Sequence, residues 1–154
     1  MLITNEDNME LMARYEDNYF DLAIVDPPYG IGININMGRR KGDKKSKYHK
    51  FEGEDKNIPS KKYFDELFRI SKNQIIWGGN YMTDYLYPSP CWLLWGKGFS
   101  EDVTFAQYEL AWSSFKTSAK KYEYNAAANK NRIHPTQKPI ELYEWQLMRY
   151  AKEG

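Results

Sequence analysis

The sequence predicts an α/β domain built on a mixed, mostly parallel sheet with helices on its faces. Short apolar, β-prone runs at 22–25, 74–77 and 91–95 have the length and character of strands buried on both faces. Each run is closed by strong punctuation, namely Asp26-Pro27-Pro28, Gly78-Gly79-Asn80 and Gly96-Lys97-Gly98. Between and after the strands lie segments whose apolar residues recur at helical spacing.

In chain order, Leu2-Ile3-Thr4 is a short strand candidate. Asn5-Glu6-Asp7 offers a cap to a helix with Met9, Leu11, Met12 and Tyr15 as its apolar face, ended by Asn18. The run 22–25 is a strand buried on both faces. Ser60 caps a second helix with the stripe Tyr63, Phe64, Leu67, Phe68 and Ile70, expected to be a right-handed crossover to the strand 74–77. The following glycines read either as a place for close backbone approach to a bound ligand or as a plain strand-end turn. Residues 81–87 make a short helix or turn stopped by Pro88 and Pro90, and 91–95 make the third strand. The stretch 105–112 alternates enough to be a fourth strand, antiparallel to its neighbour. Residues 113–131 are polar and patternless and read as a linker. Pro139 opens a last helix over 139–153, with Ile140, Tyr143, Leu147 and Tyr150 as its apolar face and Gly154 as its αL end.

Chemistry concentrates at Asp26-Pro27-Pro28-Tyr29. Two prolines stop the strand, so Asp26 sits at the carboxyl end of a buried strand, where open α/β sheets hold ligands. An exocyclic base amine is a poor nucleophile until acceptors hold its hydrogens. Asp26 can accept one N–H and the Pro27 carbonyl another, while proline brings no competing donor. Tyr29 supplies a flat face for an extruded base. An ordinary strand-ending turn is the plainer reading of Asp-Pro-Pro, and the tyrosine behind it argues for the chemical one.

This segment resembles the catalytic motif of the amino-methylating DNA methyltransferases, which modify adenine N6 or cytosine N4. Three further stretches agree in order: 75–81 (IIWGGNY), 91–95 (CWLLW) and 132–139 (RIHPTQKP). The resemblance covers nearly the whole of 1–154. It implies a partial Rossmann-like methyltransferase fold, S-adenosylmethionine as methyl donor, and double-stranded DNA as substrate. The acceptor it favours is adenine N6 of a flipped base, in a bacterial or phage restriction–modification setting. By resemblance Asp26, Pro27, Pro28 and Tyr29 are catalytic. Asp26, Thr136 and Lys138 would meet the cofactor, the last two at its methionine carboxylate; simple N-capping is their other reading. Segment 113–131 would be a reduced target-recognition region.

One departure stands beside these matches. In members with this permuted motif order, a strand and a Gly-rich cofactor loop follow the last helix. Gly30-Ile31-Gly32 and Gly96-Lys97-Gly98 do not continue as a helix-opening G-x-G-x-x-G. The expectation is a catalytic half truncated before that loop, its cofactor site incomplete and Ile24 on an unprotected edge. A second copy, the C-terminal helix or a complementing cofactor-binding segment would cover that edge. An inactive DNA- or protein-binding remnant and one subunit of a split methyltransferase remain alternatives.

Composition bounds the rest. Lys and Arg number 22 against 21 Asp and Glu, so any footprint for DNA must be local. It falls in 38–58, read as a flexible basic loop containing Arg39, Arg40, Lys44, Lys45 and Lys47. That tract reads equally as a solvated loop or as a set of phosphate contacts. Lysines 116, 120, 121 and 130 with Arg132 could add backbone contacts, and Tyr122, Tyr124 and Asn125 base contacts. His49 and His134 receive no catalytic or metal role. One cysteine, Cys91, excludes an intramolecular disulfide and fits a reducing, cytoplasmic setting. No apolar run reaches the roughly 18 residues of a membrane span.

Overall fold

The computed structural model describes residues 2–32, 55–99, 106–125 and 137–151. Over these residues the chain is α/β, with a five-stranded mixed sheet and helices on both faces. Helix α1 (Asn8–Met12) starts at Asp7, whose Oδ1 accepts from the amides of Met9 and Glu10 at 2.8 and 3.2 Å. Strand β1 (Ala23–Val25) follows, then α2 (Lys61–Ile70) and β2 (Gln74–Trp77). Two 3-10 turns, Gly79–Tyr81 and Thr83–Tyr85, lead to β3 (Trp92–Gly96). Strands β4 (Tyr108–Ser113) and β5 (Lys120–Glu123) come next, and α3 (Ile140–Tyr150) closes the order.

The strands lie in the order β1-β2-β4-β3-β5. β1 is parallel to β2 and β3 to β5, while β4 is antiparallel to both β2 and β3. Hence β1, β2, β3 and β5 all run one way and β4 alone is reversed, as expected of a mostly parallel sheet. The carboxyl ends of four strands and the amino end of β4 therefore share one edge of the sheet. β1 stands at the end of the order, the edge position expected of Ile24.

Alternation along β2 divides the core. Ile76 faces α1 and α2, joining Met12, Phe64, Leu67, Ile70 and Trp112. Ile75 and Trp77 face the other way, with Cys91, Leu93, Trp95, Ala111 and Leu142 of α3. Burying each of Phe64, Leu67 and Ile70 contributes about 1.5–3 kcal/mol before chain entropy is subtracted. Both faces of β1 are used as well: Ala23 and Val25 pack toward α2, and Ile24 toward α3.

Several expectations are corrected. Leu2-Ile3-Thr4 forms no strand; Leu2 and Ile3 are 79% and 80% exposed, with no partner strand to shield them. Segment 113–131 is not patternless throughout, because β5 pairs with β3 inside it. Its period-2 signal is brief, since Tyr122 turns inward between the polar Lys121 and Glu123. The apolar face expected of α3 is also displaced. Leu142 and Gln146 are buried, whereas Ile140 and Leu147 face solvent. Two aromatic rings set that rotation: Trp145 stacks near Tyr122 at 5.2 Å, and Tyr150 near Phe115 at 4.6 Å. Pro139 is the cap of α3 rather than its first helical residue. Among the described residues no helix is long and apolar enough to cross a membrane.

Candidate functional site

Asp26 leaves β1 at the shared edge of the sheet, and the two prolines after it have no N–H to donate. The next two amides, of Tyr29 and Gly30, both donate to Asp55 Oδ1, at 2.8 and 3.2 Å. The Asp55 carbonyl in turn accepts from the Gly32 amide at 2.8 Å. The turn after β1 is thus held from outside by one aspartate, and Gly30 supplies the positive φ of 70° it requires.

Tyr29 folds back over this turn. Its hydroxyl donates to Asp26 Oδ1 at 2.8 Å and accepts from Lys138 Nζ at 2.9 Å. Lys138 also reaches Asp26 Oδ1 and Oδ2 at 2.6 and 2.7 Å and Glu109 Oε2 at 3.2 Å. Lys97 pairs with the other oxygen of Glu109. Two carboxylates and two ammonium groups therefore balance along the edge. Lys138 comes from the residue before the cap of α3, Glu109 from the start of β4, and Lys97 from just after β3. The reversal of β4 is what brings Glu109 to the end of the sheet where Asp26 stands.

Burial sets the electrostatics. The Lys138 side chain is 4% exposed and that of Asp26 33%, so solvent reaches the cluster from the Asp26 side. Burial alone would raise the Glu109 carboxyl, but the charges of Lys138 and Lys97 outweigh it and hold the group below the ordinary carboxylate range. Burial, reinforced by the negative charges of Glu109 and Asp26, pushes the Tyr29 phenol far above its usual value. Tyr143, in the first turns of α3, is pushed up by burial and then by the same two carboxylates. Both phenols stay protonated and act as neutral groups.

The ring of Tyr29 lies directly on Gly78. A Cβ at that position would stand 2.3 Å from two ring carbons, and Gly78 has φ 69°. The positive φ agrees with the turn reading of this glycine, and the group that approaches its backbone is the Tyr29 ring. Tyr81 stacks on Tyr29 with centroids 5.5 Å apart and planes 23° apart. Tyr81 is 45% exposed, so the flat surface open to a ligand is more its ring than that of Tyr29. Lys138 Nζ also lies 5.3 Å from the centroids of both Tyr29 and Trp77. The Trp77 indole N–H is fully buried and has no partner among the described residues.

The structure thus brings Asp26, Tyr29 and Lys138 together from opposite ends of the chain. Pro27 and Pro28 form the arm between Asp26 and Tyr29. Thr136 and the basic residues Arg39, Arg40, Lys44, Lys45 and Lys47 lie outside the described residues. Tyr122 and Tyr124 turn onto α3, and the Tyr124 hydroxyl donates to Glu141 Oε1 at 3.2 Å. Lys121 is paired with Glu123. Glu109, Lys97, Asp55 and Tyr81 were not singled out as site residues by sequence. Glu109 did carry a signal, a carboxylate inside the apolar stretch Tyr108–Trp112. No family model matches the chain, and neither does any curated protein.

Proposed function

We propose that the chain acts as an amino-directed DNA methyltransferase with a Rossmann-like fold, in which Asp26 and Tyr29 form the acceptor side. It takes the exocyclic amine of a flipped base, adenine N6 before cytosine N4. The observation that carries this reading is the Asp26 carboxylate at the carboxyl edge of the sheet, oriented by Lys138 and Tyr29 with one lone pair of Oδ2 still open. Oδ1 is engaged by both Lys138 and Tyr29, whereas Oδ2 meets Lys138 alone among the described residues. A lone pair on Oδ2 thus remains for an amine N–H, on the side where Asp26 is open to solvent. The Pro27 carbonyl is the second acceptor, and the Tyr81–Tyr29 ledge is the stacking surface. Once both amine hydrogens are held, the nitrogen lone pair is less delocalised into the ring and better aligned for attack.

S-adenosylmethionine is the methyl donor that the family resemblance supplies. Among the described residues Lys138 is not free for its carboxylate, because its hydrogens are engaged by Asp26, Tyr29 and Glu109. The end position of β1 offers a complementing segment or a second copy the place to add a strand.

The test is transfer of labelled methyl from S-adenosylmethionine to duplex DNA by the full chain, with the product base identified after digestion. Labelled N6-methyladenine that disappears in Asp26→Ala, with DNA affinity kept within about twofold, supports the reading. Absence of any labelled base at saturating donor, or undiminished labelling in Asp26→Ala, overturns it. Binding of DNA without transfer is the second reading, and the hold of Lys138 on both oxygens of Asp26 favours it. Under that reading the chain retains DNA and labels none.

A further inference from the structure

The same edge of the sheet carries a second concavity, on the face turned away from α3. Tyr108, Gly96 and Glu123 lie on one rung across β4, β3 and β5, so their side-chain positions share a face. The neighbouring Trp95 and Ala111 point to α3, which fixes this rung on the opposite side. None of the three belongs to either hydrophobic cluster, and Tyr108 is 40% exposed.

Gly96 leaves a notch in the rung. The Glu123 carboxylate leans into it, so that a Cβ on Gly96 would stand 2.0 Å from Oε2. Phe99 and Gln107 line the same cleft, which has a volume of about 410 Å³. Lys121 pairs with Glu123 and lies 5.5 Å from the centroid of the Tyr108 ring.

This set of groups has a definite preference. The Tyr108 ring, 40% exposed, offers a face for a flat heterocycle. A carboxylate accepts from an exocyclic amine, and a carboxamide meets an edge that carries one donor and one acceptor. Lys121 adds a cation beside the cleft, suited to a phosphate of the same nucleotide. The volume is that of a pocket for one small ligand.

We propose that this cleft binds a nucleobase bearing an exocyclic amine, adenine or cytosine. It is a second base-recognition point, separate from Asp26 and on the other face of the sheet. The proposal rests on the nucleic-acid reading above but on no methyl transfer.

The experiment is calorimetric titration of the full chain with deoxyadenosine, deoxycytidine, thymidine and a short deoxyadenosine oligonucleotide. No methyl donor is present, so its failure is distinct from failure of the methylation assay. Deoxyadenosine and deoxycytidine bind, and thymidine, which offers no amine to Glu123, binds about tenfold more weakly. Glu123→Gln and Gln107→Ala, both near the surface, each weaken deoxyadenosine by about tenfold. In the Asp26→Ala background, where the first site is lost, the effect of Glu123→Gln persists, as expected of a separate site. Tighter binding of the oligonucleotide than of the nucleoside identifies a nucleic-acid strand as the source of the base; equal binding identifies a free nucleoside or nucleotide. The proposal is overturned if no nucleoside titrates or if thymidine matches deoxyadenosine. It is equally overturned if Asp26→Ala abolishes binding while Glu123→Gln leaves it intact.

Discussion

Lys138 places its ammonium 2.6 and 2.7 Å from the two oxygens of Asp26, joining residues 112 positions apart. Through the same nitrogen it reaches Glu109 at 3.2 Å, so a single buried cation serves two carboxylates.

Removing that cation leaves both acids without their shared partner. Lys138→Met keeps most of the length of the side chain and deletes its charge. Loss of a partner from a fully buried pair costs about 3–5 kcal/mol, and the partial exposure of Asp26 and Glu109 reduces this to about 2 kcal/mol. Urea denaturation of the variant beside the parent measures the difference. An unchanged midpoint would show the cluster to be held by other contacts.

Gly78 faces the ring of Tyr29 with no room for a methyl group. Gly78→Ala combines an unfavourable positive φ with a carbon placed 2.3 Å from that ring. The expected loss is about 2–3 kcal/mol, with Tyr29 displaced from Asp26. Chemical denaturation reads the first effect, and the nuclear magnetic resonance of the Tyr29 ring protons reads the second.

Acid stability carries the mark of Glu109. Its carboxyl titrates lower in the folded chain than in the unfolded chain because Lys138 and Lys97 outweigh the effect of burial. The unfolded state therefore takes up its proton first as pH falls. The stabilisation is fully present above the ordinary carboxylate range and is lost as pH falls through the lowered folded value. Glu109→Gln makes stability less dependent on pH across that interval. Unfolding midpoints measured from neutral to strongly acid pH decide it, and parallel curves for the two proteins would remove Glu109 from the acid response.

Gln146 is fully buried on α3, and neither its amide nitrogen nor its amide oxygen has a partner among the described residues. Gln146→Leu replaces these polar atoms with apolar ones of similar size. The variant gains about 1–2 kcal/mol. Thermal unfolding shows the gain as a higher midpoint, and a drop would mean that the amide is partnered in solution.

Much of this arrangement was legible in the sequence where local pattern and global fold agree. The four residues of β2 lie between a polar Asn73 and two glycines, and β2 has the bounds expected of it. Asp26 at the end of a buried strand followed from two prolines. Tertiary contacts hid the rest. β5 shows a single inward tyrosine in four residues, too few to establish a period. The orientation of α3 is set by Tyr122 and Phe115 from other segments, against the helix's own pattern of Ile140 and Leu147. Asp55 acts on amides 25 and 26 positions earlier, so nothing beside it in sequence announces the role.

The reach of Lys138 also sets an order of events in folding. Its contacts with Asp26 and Tyr29 span 112 and 109 residues, and that of Tyr29 with Glu109 spans 80. Such separations carry a large loop-closure entropy, which is offset only after the local pairings have formed. The β3–β4 hairpin and the β1–α2–β2 unit can collapse early, whereas the charged cluster waits for α3 to dock. It is therefore assembled late, after the sheet that it borders.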